Sequence, residues 1–171
     1  MEEKLVGNIF LIGFMGSGKT TVAKLLNSKW GFAVFDMDKI IEERAKMSIP
    51  EIFATYGEAH FRNLETELAI ELQGQRSAVI SCGGGTAMRK ENVAAMKKSG
   101  KVVFLAASPE TIYERVKDSE DRPLIENNKT IPYIAQLLET RRPAYEEAAD
   151  LTIHTDGKTA MEICEELISR Y

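Results

Sequence analysis

The stretch Gly13-Phe14-Met15-Gly16-Ser17-Gly18-Lys19-Thr20 is the strongest indication of the fold, because it matches the pattern G-x-x-x-x-G-K-[S/T] at every fixed position. The apolar run 8–12 before it predicts a buried strand, and the segment 19–29 after it predicts an amphipathic helix. In this setting the N–H groups of a glycine-rich loop point into one concavity, and the helix N-terminus adds partial positive charge. The stretch therefore predicts a loop that binds the phosphates of a nucleotide.

Within this loop we expect Lys19 to bridge the β- and γ-phosphates of ATP and the Thr20 hydroxyl to hold Mg²⁺. A chance glycine-rich turn is the alternative, and the strand and helix on either side argue against it. The residues expected to bind ATP here are Gly13, Gly16, Ser17, Gly18, Lys19, Thr20 and Thr21.

Outward from the loop, short apolar runs alternate with amphipathic stretches. Strands are predicted at 8–12, 32–35, 78–81, 102–106 and 151–153; helices are predicted at 19–29, 38–46, 48–57, 58–73, 89–99, 108–117, 130–143 and 159–169. Strands that alternate with helices need crossover connections, so the fold class is α/β, with a mainly parallel sheet covered on both faces. The polar segment 118–129 has no clean period and is either a disordered loop or a working lid.

Length and composition limit the remaining possibilities. The 171 residues suit one domain, and 22 Lys and Arg against 26 Asp and Glu give a net charge of −4, which disfavours general binding to nucleic acid or to anionic membranes. Cys82 and Cys164 form neither a metal-spacing pair nor a disulfide framework. No apolar stretch approaches the ~18 residues of a membrane span. We expect a cytoplasmic protein without nucleic-acid or membrane partners.

Polar residues follow the predicted strands, at the edge where open α/β sheets bind ligands. Asp36 and Asp38 come directly after the second strand, so one can hold Mg²⁺ or its waters and the other can accept a proton from an attacking hydroxyl. For Asp38, simple acidic decoration of a helix N-terminus is an open alternative. The run Gly83-Gly84-Gly85 follows the third strand and indicates close backbone approach to a ligand, with a flexible connection as the alternative.

The arginines are the second group of candidates. Arg62 and Glu65 share one face of a predicted helix, which favours an ordinary surface ion pair but also suits a guanidinium held ready for a carboxylate or phosphate. Arg122 lies in the polar segment, where a lid arginine can swing over phosphates. Arg141 and Arg142 are predicted to close a helix, and for Arg142 complementation of the helix dipole is favoured.

With these motifs, the sequence resembles the shikimate kinases of the monofunctional bacterial type, within the P-loop nucleoside-monophosphate-kinase-like superfamily. The resemblance covers nearly the whole chain and rests on ordered motifs: Gly13 to Thr20, Asp36-Met37-Asp38, Phe61-Arg62-Asn63-Leu64-Glu65, Gly83-Gly84-Gly85, Arg122-Pro123-Leu124 and Arg141-Arg142-Pro143-Ala144-Tyr145. It implies a three-layer α/β/α fold with five parallel strands in the order 2-3-1-4-5. It also implies one kinase domain over 1–171, a substrate-binding helical insertion at about 36–73 and a lid at about 117–130.

The resemblance implies transfer of the ATP γ-phosphoryl group to the 3-hydroxyl of shikimate, with Mg²⁺ as cofactor, in the biosynthesis of chorismate and aromatic amino acids. ATP and shikimate would be its small-molecule partners, and a monomer is expected. The alternatives are another small-metabolite kinase, such as a gluconate-kinase-like enzyme, and a nucleotide-binding regulatory module. Lys39-Ile40-Ile41 after Asp38 weakens the first, and the presence of Asp38 and Arg122 weakens the second.

The resemblance also implies individual roles. Asp38 is the candidate base and binds shikimate hydroxyls, while Lys19 and Arg122 are catalytic cations, Arg122 also contacting ATP. On the nucleotide side, the resemblance implies that Arg115 stacks on adenine and that Asp36 and Ser81 reach Mg²⁺ through water, beside Thr20. On the substrate side, it implies that the shikimate carboxylate is held by Arg62, Arg141 and the Gly84 N–H, with Glu65 orienting Arg62. The substrate pocket would be lined by Gly83, Gly85 and Phe61.

Overall fold

The computed structural model describes residues 7–118 and 129–171. All strand pairs are parallel, and the sheet order is β2-β3-β1-β4-β5, as expected. The strands are β1 Asn8–Ile12, β2 Ala33–Asp36, β3 Ala78–Ser81, β4 Gly100–Ala106 and β5 Leu151–His154. The helices are α1 Lys19–Trp30, α2 Met37–Ala45, α3 Ile49–Tyr56, α4 Glu58–Leu72, α5 Lys90–Ser99, α6 Pro109–Val116, α7 Ile131–Ala148 and α8 Ala160–Arg170, with a 3-10 turn at Thr86–Met88.

The central strands β1, β3 and β4 are buried on both sides, which explains why they read as continuous apolar runs, whereas the edge strands β2 and β5 are only partly buried. Along β1, Ile9 and Leu11 join one core cluster with residues of α1 and α8. Phe10 and Ile12 join the opposite cluster with residues of α4, α5 and α7. Successive side chains of a strand point to opposite faces, so one strand supplies both cores. The three-layer architecture is therefore confirmed.

Local signals set most of the helix starts. Ser48, Ser108 and Thr130 each accept a hydrogen bond at the N-cap of their helix, and each is followed by Pro in the first turn. Thr159 forms a full capping box with Glu162 at the start of α8. These caps fix the direction in which each helix leaves its loop.

The expected end of the seventh helix at Pro143 is wrong, because α7 continues to Ala148 and contains Pro143 in its interior. Proline removes one backbone hydrogen bond and disfavours this position. Tyr145 and Ala148 are buried beyond it, and the Tyr145 ring stacks on Phe104 with centroids 5.0 Å apart. This packing offsets the cost of the proline. Arg142 consequently lies inside the helix, where it pairs with Glu139, and does not complement a helix end.

The expectations for membrane spans, the two cysteines and the lid can be compared with the structure. Within the ranges that the structure describes, no helix is long and apolar enough to cross a membrane. Cys82 and Cys164 are both free thiols in buried positions, and burial raises the pKa of Cys82, so that this thiol is neutral. Most of the segment expected to form the lid, with Arg122, lies outside the described residues.

Candidate active site

The loop between β1 and α1 has the backbone that its glycines predict. Gly13, Gly16 and Gly18 all have positive φ, and a Cβ on Gly13 would lie 2.7 Å from the carbonyl oxygen of Leu105. A side chain there would therefore clash as well as strain the backbone. Lys19 is 9% exposed, and its Nζ donates to the carbonyl oxygens of Gly13 at 2.8 Å and Phe14 at 3.0 Å. The ammonium group thus lies across the loop that it is expected to serve.

An oxygen-rich edge adjoins this loop at the carboxyl ends of β2 and β3. Asp36 and Ser81 are register partners across these two strands. Asp36 Oδ2 accepts from the Thr20 hydroxyl at 3.4 Å, and its Oδ1 accepts from the backbone N–H of Lys39 at 3.2 Å, which caps α2. Hydroxyl and carboxylate oxygens are the ligands that Mg²⁺ prefers in proteins, usually together with waters and substrate phosphates. The donor set of Thr20, Asp36 and Ser81 therefore fits this ion.

The loop and this edge border one cleft of about 430 Å³. Its walls are formed by Met15, Gly16, Gly18, Lys19, Thr20, Thr21, Asp36, Asp38, Lys39, Glu42, Ile49, Ser81, Cys82, Gly84 and Arg115. Asp38 and Lys19 thus face a common space, with the phosphate loop at one side and the glycine run after β3 at the other. A nucleotide phosphate and a second small molecule can meet there.

Arg115 borders the cleft beside the phosphate loop. Its Nη1 donates to the carbonyl oxygen of Gly16 at 2.9 Å, so the guanidinium lies over the phosphate loop. Asp156 holds the start of α6, because its carboxylate accepts from the Ser108 N–H at 3.1 Å and from the Thr111 hydroxyl at 2.5 Å. Burial alone would raise the pKa of Asp156, but these hydrogen bonds hold it below its ordinary value. No local sequence pattern predicts this tie between α6 and the loop after β5.

The Arg62–Glu65 pair is not the surface ion pair that the residues alone favoured. Arg62 Nη1 donates to Glu65 Oε1 at 2.5 Å, and the side chains are 14% and 1% exposed. The Arg62 guanidinium also lies over the Phe61 ring, 5.2 Å from its centroid. Burial would lower the pKa of Arg62, but Glu65 and Glu58 raise it overall, so the group is a fixed cation. Phe61 itself is buried beneath this cation and packs against Phe53, with centroids 5.2 Å apart.

The glycine run 83–85 lies where these charged side chains converge. A Cβ on Gly85 would fall 2.4 Å from Arg62 Nη1. On Gly84 it would fall 3.3 Å from Arg141 Nη1, and on Gly83 it would fall 2.9 Å from Asp38 Oδ1. Arginine and carboxylate groups of the protein itself therefore approach the backbone closely here, and the approach of a ligand to these glycines stays a prediction. The run is a compact junction between α2, α4 and α7.

Arg141 enters this junction from α7. It is 9% exposed, and its Cζ lies 5.5 Å from the centroid of Phe14. Its Nη1 is buried and has no hydrogen-bond partner among residues 7–118 and 129–171. The neighbouring Tyr145 hydroxyl donates to the Gly84 carbonyl oxygen, and burial raises the pKa of Tyr145, which keeps that donor neutral. Arg142, in contrast, has a side chain that is 44% exposed. Of the two arginines, Arg141 is thus the one buried at the glycine run, next to Gly84, which borders the cleft.

The parallel sheet, the phosphate loop, the cleft that Asp38 lines and the two arginines at the adjoining glycine run define a P-loop phosphotransferase with a hydroxyl acceptor. A family model described as shikimate kinase matches residues 15–171. The chain belongs to the shikimate kinase family. It is 43% identical over 164 residues to the shikimate kinase of Thermodesulfovibrio yellowstonii, an alignment that covers 96% of this chain and 94% of that one.

Solved structures agree with this assignment. The shikimate kinase of Acinetobacter baumannii, determined in complex with shikimate, matches with a TM-score of 0.93 and 33% identity over 98% of this chain and 93% of that chain. The Aquifex aeolicus shikimate kinase matches with a TM-score of 0.81 and 37% identity over 95% of this chain and 94% of that chain. The family is one of ATP-dependent kinases of the shikimate pathway. The gluconate-kinase-like alternative is therefore not favoured.

Proposed function

We propose that the chain transfers the γ-phosphoryl group of ATP to the 3-hydroxyl of shikimate, giving shikimate 3-phosphate and ADP. The observation that carries the assignment of the acceptor site is the pair Arg62 and Arg141 at the glycine run, beside the phosphate loop. Two guanidinium groups form a natural receptor for one carboxylate, because each presents a planar fork of donors. The buried Nη1 of Arg141, without a partner in the described chain, provides one such donor.

On the nucleotide side, the amide groups of the loop and Lys19 bind the phosphates, while Arg115 lies against the adenine. Lys19 must exchange its contacts with the Gly13 and Phe14 carbonyls for phosphate oxygens when ATP binds. Thr20 would hold Mg²⁺, with Asp36 and Ser81 acting through its waters. When bound, this ion neutralises charge on the β- and γ-phosphates. Positioning and charge neutralisation account for most of the catalysis of phosphoryl transfer.

On the acceptor side, Asp38 binds the ring hydroxyls and accepts the proton of the attacking one. Arg62 and Arg141 grip the carboxylate at the far end, with the Gly84 N–H as an additional donor. Glu65 orients Arg62, and Gly83, Gly85 and Phe61 shape the pocket. We assign Arg122 to the lid on the family resemblance, where it would cover the transferred phosphoryl group and help to exclude water.

Replacing Arg62 by lysine is expected to raise the KM for shikimate by about 10- to 100-fold, because an ammonium group cannot form the paired hydrogen bonds and each charged hydrogen bond is worth about 1.5–3 kcal/mol. The KM for ATP should stay close to that of the wild type. Steady-state kinetics with each substrate varied in turn measures both values.

Arg44→Lys is the matched control, since Arg44 also forms a two-bond pair with a glutamate, Glu71, at 2.6 and 2.7 Å but on the surface. It should leave both KM values unchanged. An unchanged KM for shikimate in Arg62→Lys would contradict the assignment of Arg62 to the substrate carboxylate.

We further propose that the protein acts in the cytoplasm as a monomer without nucleic-acid or membrane partners. The acidic composition supports the lack of such partners, because both surfaces attract clustered positive charge. Light scattering coupled to size-exclusion chromatography tests the oligomeric state. A mass of twice 19.1 kDa would contradict the monomer.

A further inference from the structure

The Glu65 carboxylate that orients Arg62 is itself held by Thr86, a residue that no sequence motif singles out. Thr86 is fully buried in the 3-10 turn after the glycine run, and its hydroxyl donates to Glu65 Oε2 at 2.7 Å. The other oxygen, Glu65 Oε1, accepts from Arg62 Nη1 at 2.5 Å. The two oxygens of one buried carboxylate are thus divided between a hydroxyl and a guanidinium.

The turn that carries Thr86 is anchored on its far side. Asn92 is buried, and its Nδ2 donates to the Thr86 carbonyl oxygen at 2.9 Å, while the Thr86 N–H donates to the Gly83 carbonyl oxygen at 3.2 Å. Because the backbone of Thr86 is fixed on both sides, its hydroxyl has a defined position. A continuous polar chain therefore runs from Asn92 through Thr86 and Glu65 to Arg62.

Because Glu65 uses only one of its oxygens to contact Arg62, Arg62 keeps N–H groups that can bind a substrate. A guanidinium has five N–H groups. Glu65 accepts one hydrogen of Nη1. Glu58 accepts the Nε hydrogen, with a distance of 3.4 Å from Nε, and one hydrogen of Nη2, at 3.3 Å. Among the described contacts, one hydrogen on Nη1 and one on Nη2 remain. Nη1 and Nη2 form the terminal fork of the guanidinium, the edge at which a carboxylate can accept two parallel hydrogen bonds.

We propose that Thr86 is a positioning residue that keeps this fork open for the substrate. With its Oε2 held by Thr86, Glu65 reaches Arg62 with one oxygen only. Without that hydrogen bond, the carboxylate can rotate about its last torsion and bring both oxygens to Arg62. Glu65 would then occupy a donor that the substrate carboxylate needs. The inference rests on the proposed role of Arg62 in binding shikimate.

Thr86→Val tests this proposal, because valine keeps the shape of threonine and removes the hydroxyl. We expect the KM for shikimate to rise by about tenfold, with kcat and the KM for ATP within about twofold of the wild type, the order of effect for one hydrogen bond to a charged group. Thr86→Ser restores a hydroxyl on a smaller side chain and should return the KM for shikimate to within about twofold of the wild type.

A KM for shikimate that is raised in Thr86→Ser and unchanged in Thr86→Val would overturn the proposal. If Thr86 only fills space, valine is harmless and serine, which leaves a void, is the impaired variant. A parallel loss in kcat and both KM values in Thr86→Val would likewise overturn it. If the valine variant does not fold, Thr86→Ala against Thr86→Ser compares two small side chains that differ by one oxygen, and equal KM values for shikimate would overturn it.

The same assay separates this inference from the proposed function. Wild-type protein without shikimate-dependent release of ADP would contradict the function. An active wild type with an unaltered Thr86→Val would contradict only the role of Thr86. Thr140→Val is the control substitution, because Thr140 is exposed and its hydroxyl donates within its own helix, to the Gln136 carbonyl oxygen at 3.0 Å.

Discussion

Replacing Asp38 by asparagine is expected to lower kcat by about 10²- to 10⁴-fold, the range of a general base. Asparagine keeps the size of the side chain and loses the ability to take up the proton of the attacking hydroxyl. The phosphate loop does not depend on this carboxylate, so the affinity for ATP should stay within a few-fold of the wild type. Steady-state turnover and calorimetric titration with ATP measure the two quantities separately.

Asp150→Asn is the matched control. Asp150 lies at the opposite, amino-terminal edge of the sheet, where it accepts from the Val102 N–H at 2.8 Å and pairs with Lys97 at 3.2 Å. This variant can lose some stability, but its kcat should equal that of the wild type. Turnover of Asp38→Asn within a few-fold of the wild type would reject Asp38 as the proton acceptor.

Replacing Arg141 by methionine is expected to have two effects of opposite sign. The KM for shikimate should rise by about 100-fold, because truncating one partner of a buried charged pair costs about 2–5 kcal/mol. The melting temperature of the ligand-free protein should rise by about 2 to 8 °C, because a cation that is buried without full compensation is destabilising and an apolar side chain of similar length is not. Binding and stability are thus in conflict at this position.

Thermal unfolding with and without shikimate, combined with kinetics, measures both effects. The wild type should be stabilised by shikimate, and Arg141→Met should lose that stabilisation. Arg142→Met is the control, since Arg142 is half-exposed and, within residues 7–118 and 129–171, its ion pair is with Glu139 of its own helix. A lower melting temperature of ligand-free Arg141→Met would show that the guanidinium is a structural group of the folded protein.

Much of the fold follows from local sequence. β1 and β3 have the predicted bounds, and the helices predicted to begin at 48 and 108 are capped by Ser48 and Ser108, because capping and strand burial depend on neighbouring residues. The end of α7 could not be predicted in this way. Pro143 is a local signal for termination, and it is overridden by the burial of Tyr145 against β4, a contact distant in sequence.

The candidate site likewise has features that local sequence predicts and features that depend on contacts between distant segments. The phosphate loop is contiguous in sequence and its geometry follows from its glycines, so a pattern identifies it. Three other features depend on which segments the fold brings together, and no local sequence pattern predicts them. They are the burial of Glu65, the hydrogen bond from the Thr86 hydroxyl and the contacts of Asp156 with the start of α6. The net charge of −4 likewise gave no indication that cations converge, yet Lys19 and Arg115 line one cleft and Arg62 and Arg141 adjoin it at the glycine run.

Release of ADP from Mg-ATP, measured by a coupled assay with shikimate, quinate and gluconate side by side, tests whether the chain is a shikimate kinase in function as well as in family. We expect shikimate to drive rapid release of ADP, gluconate, a flexible open-chain acid, to drive almost none, and shikimate to be preferred to quinate. Folded protein that releases no ADP in response to shikimate would contradict this expectation.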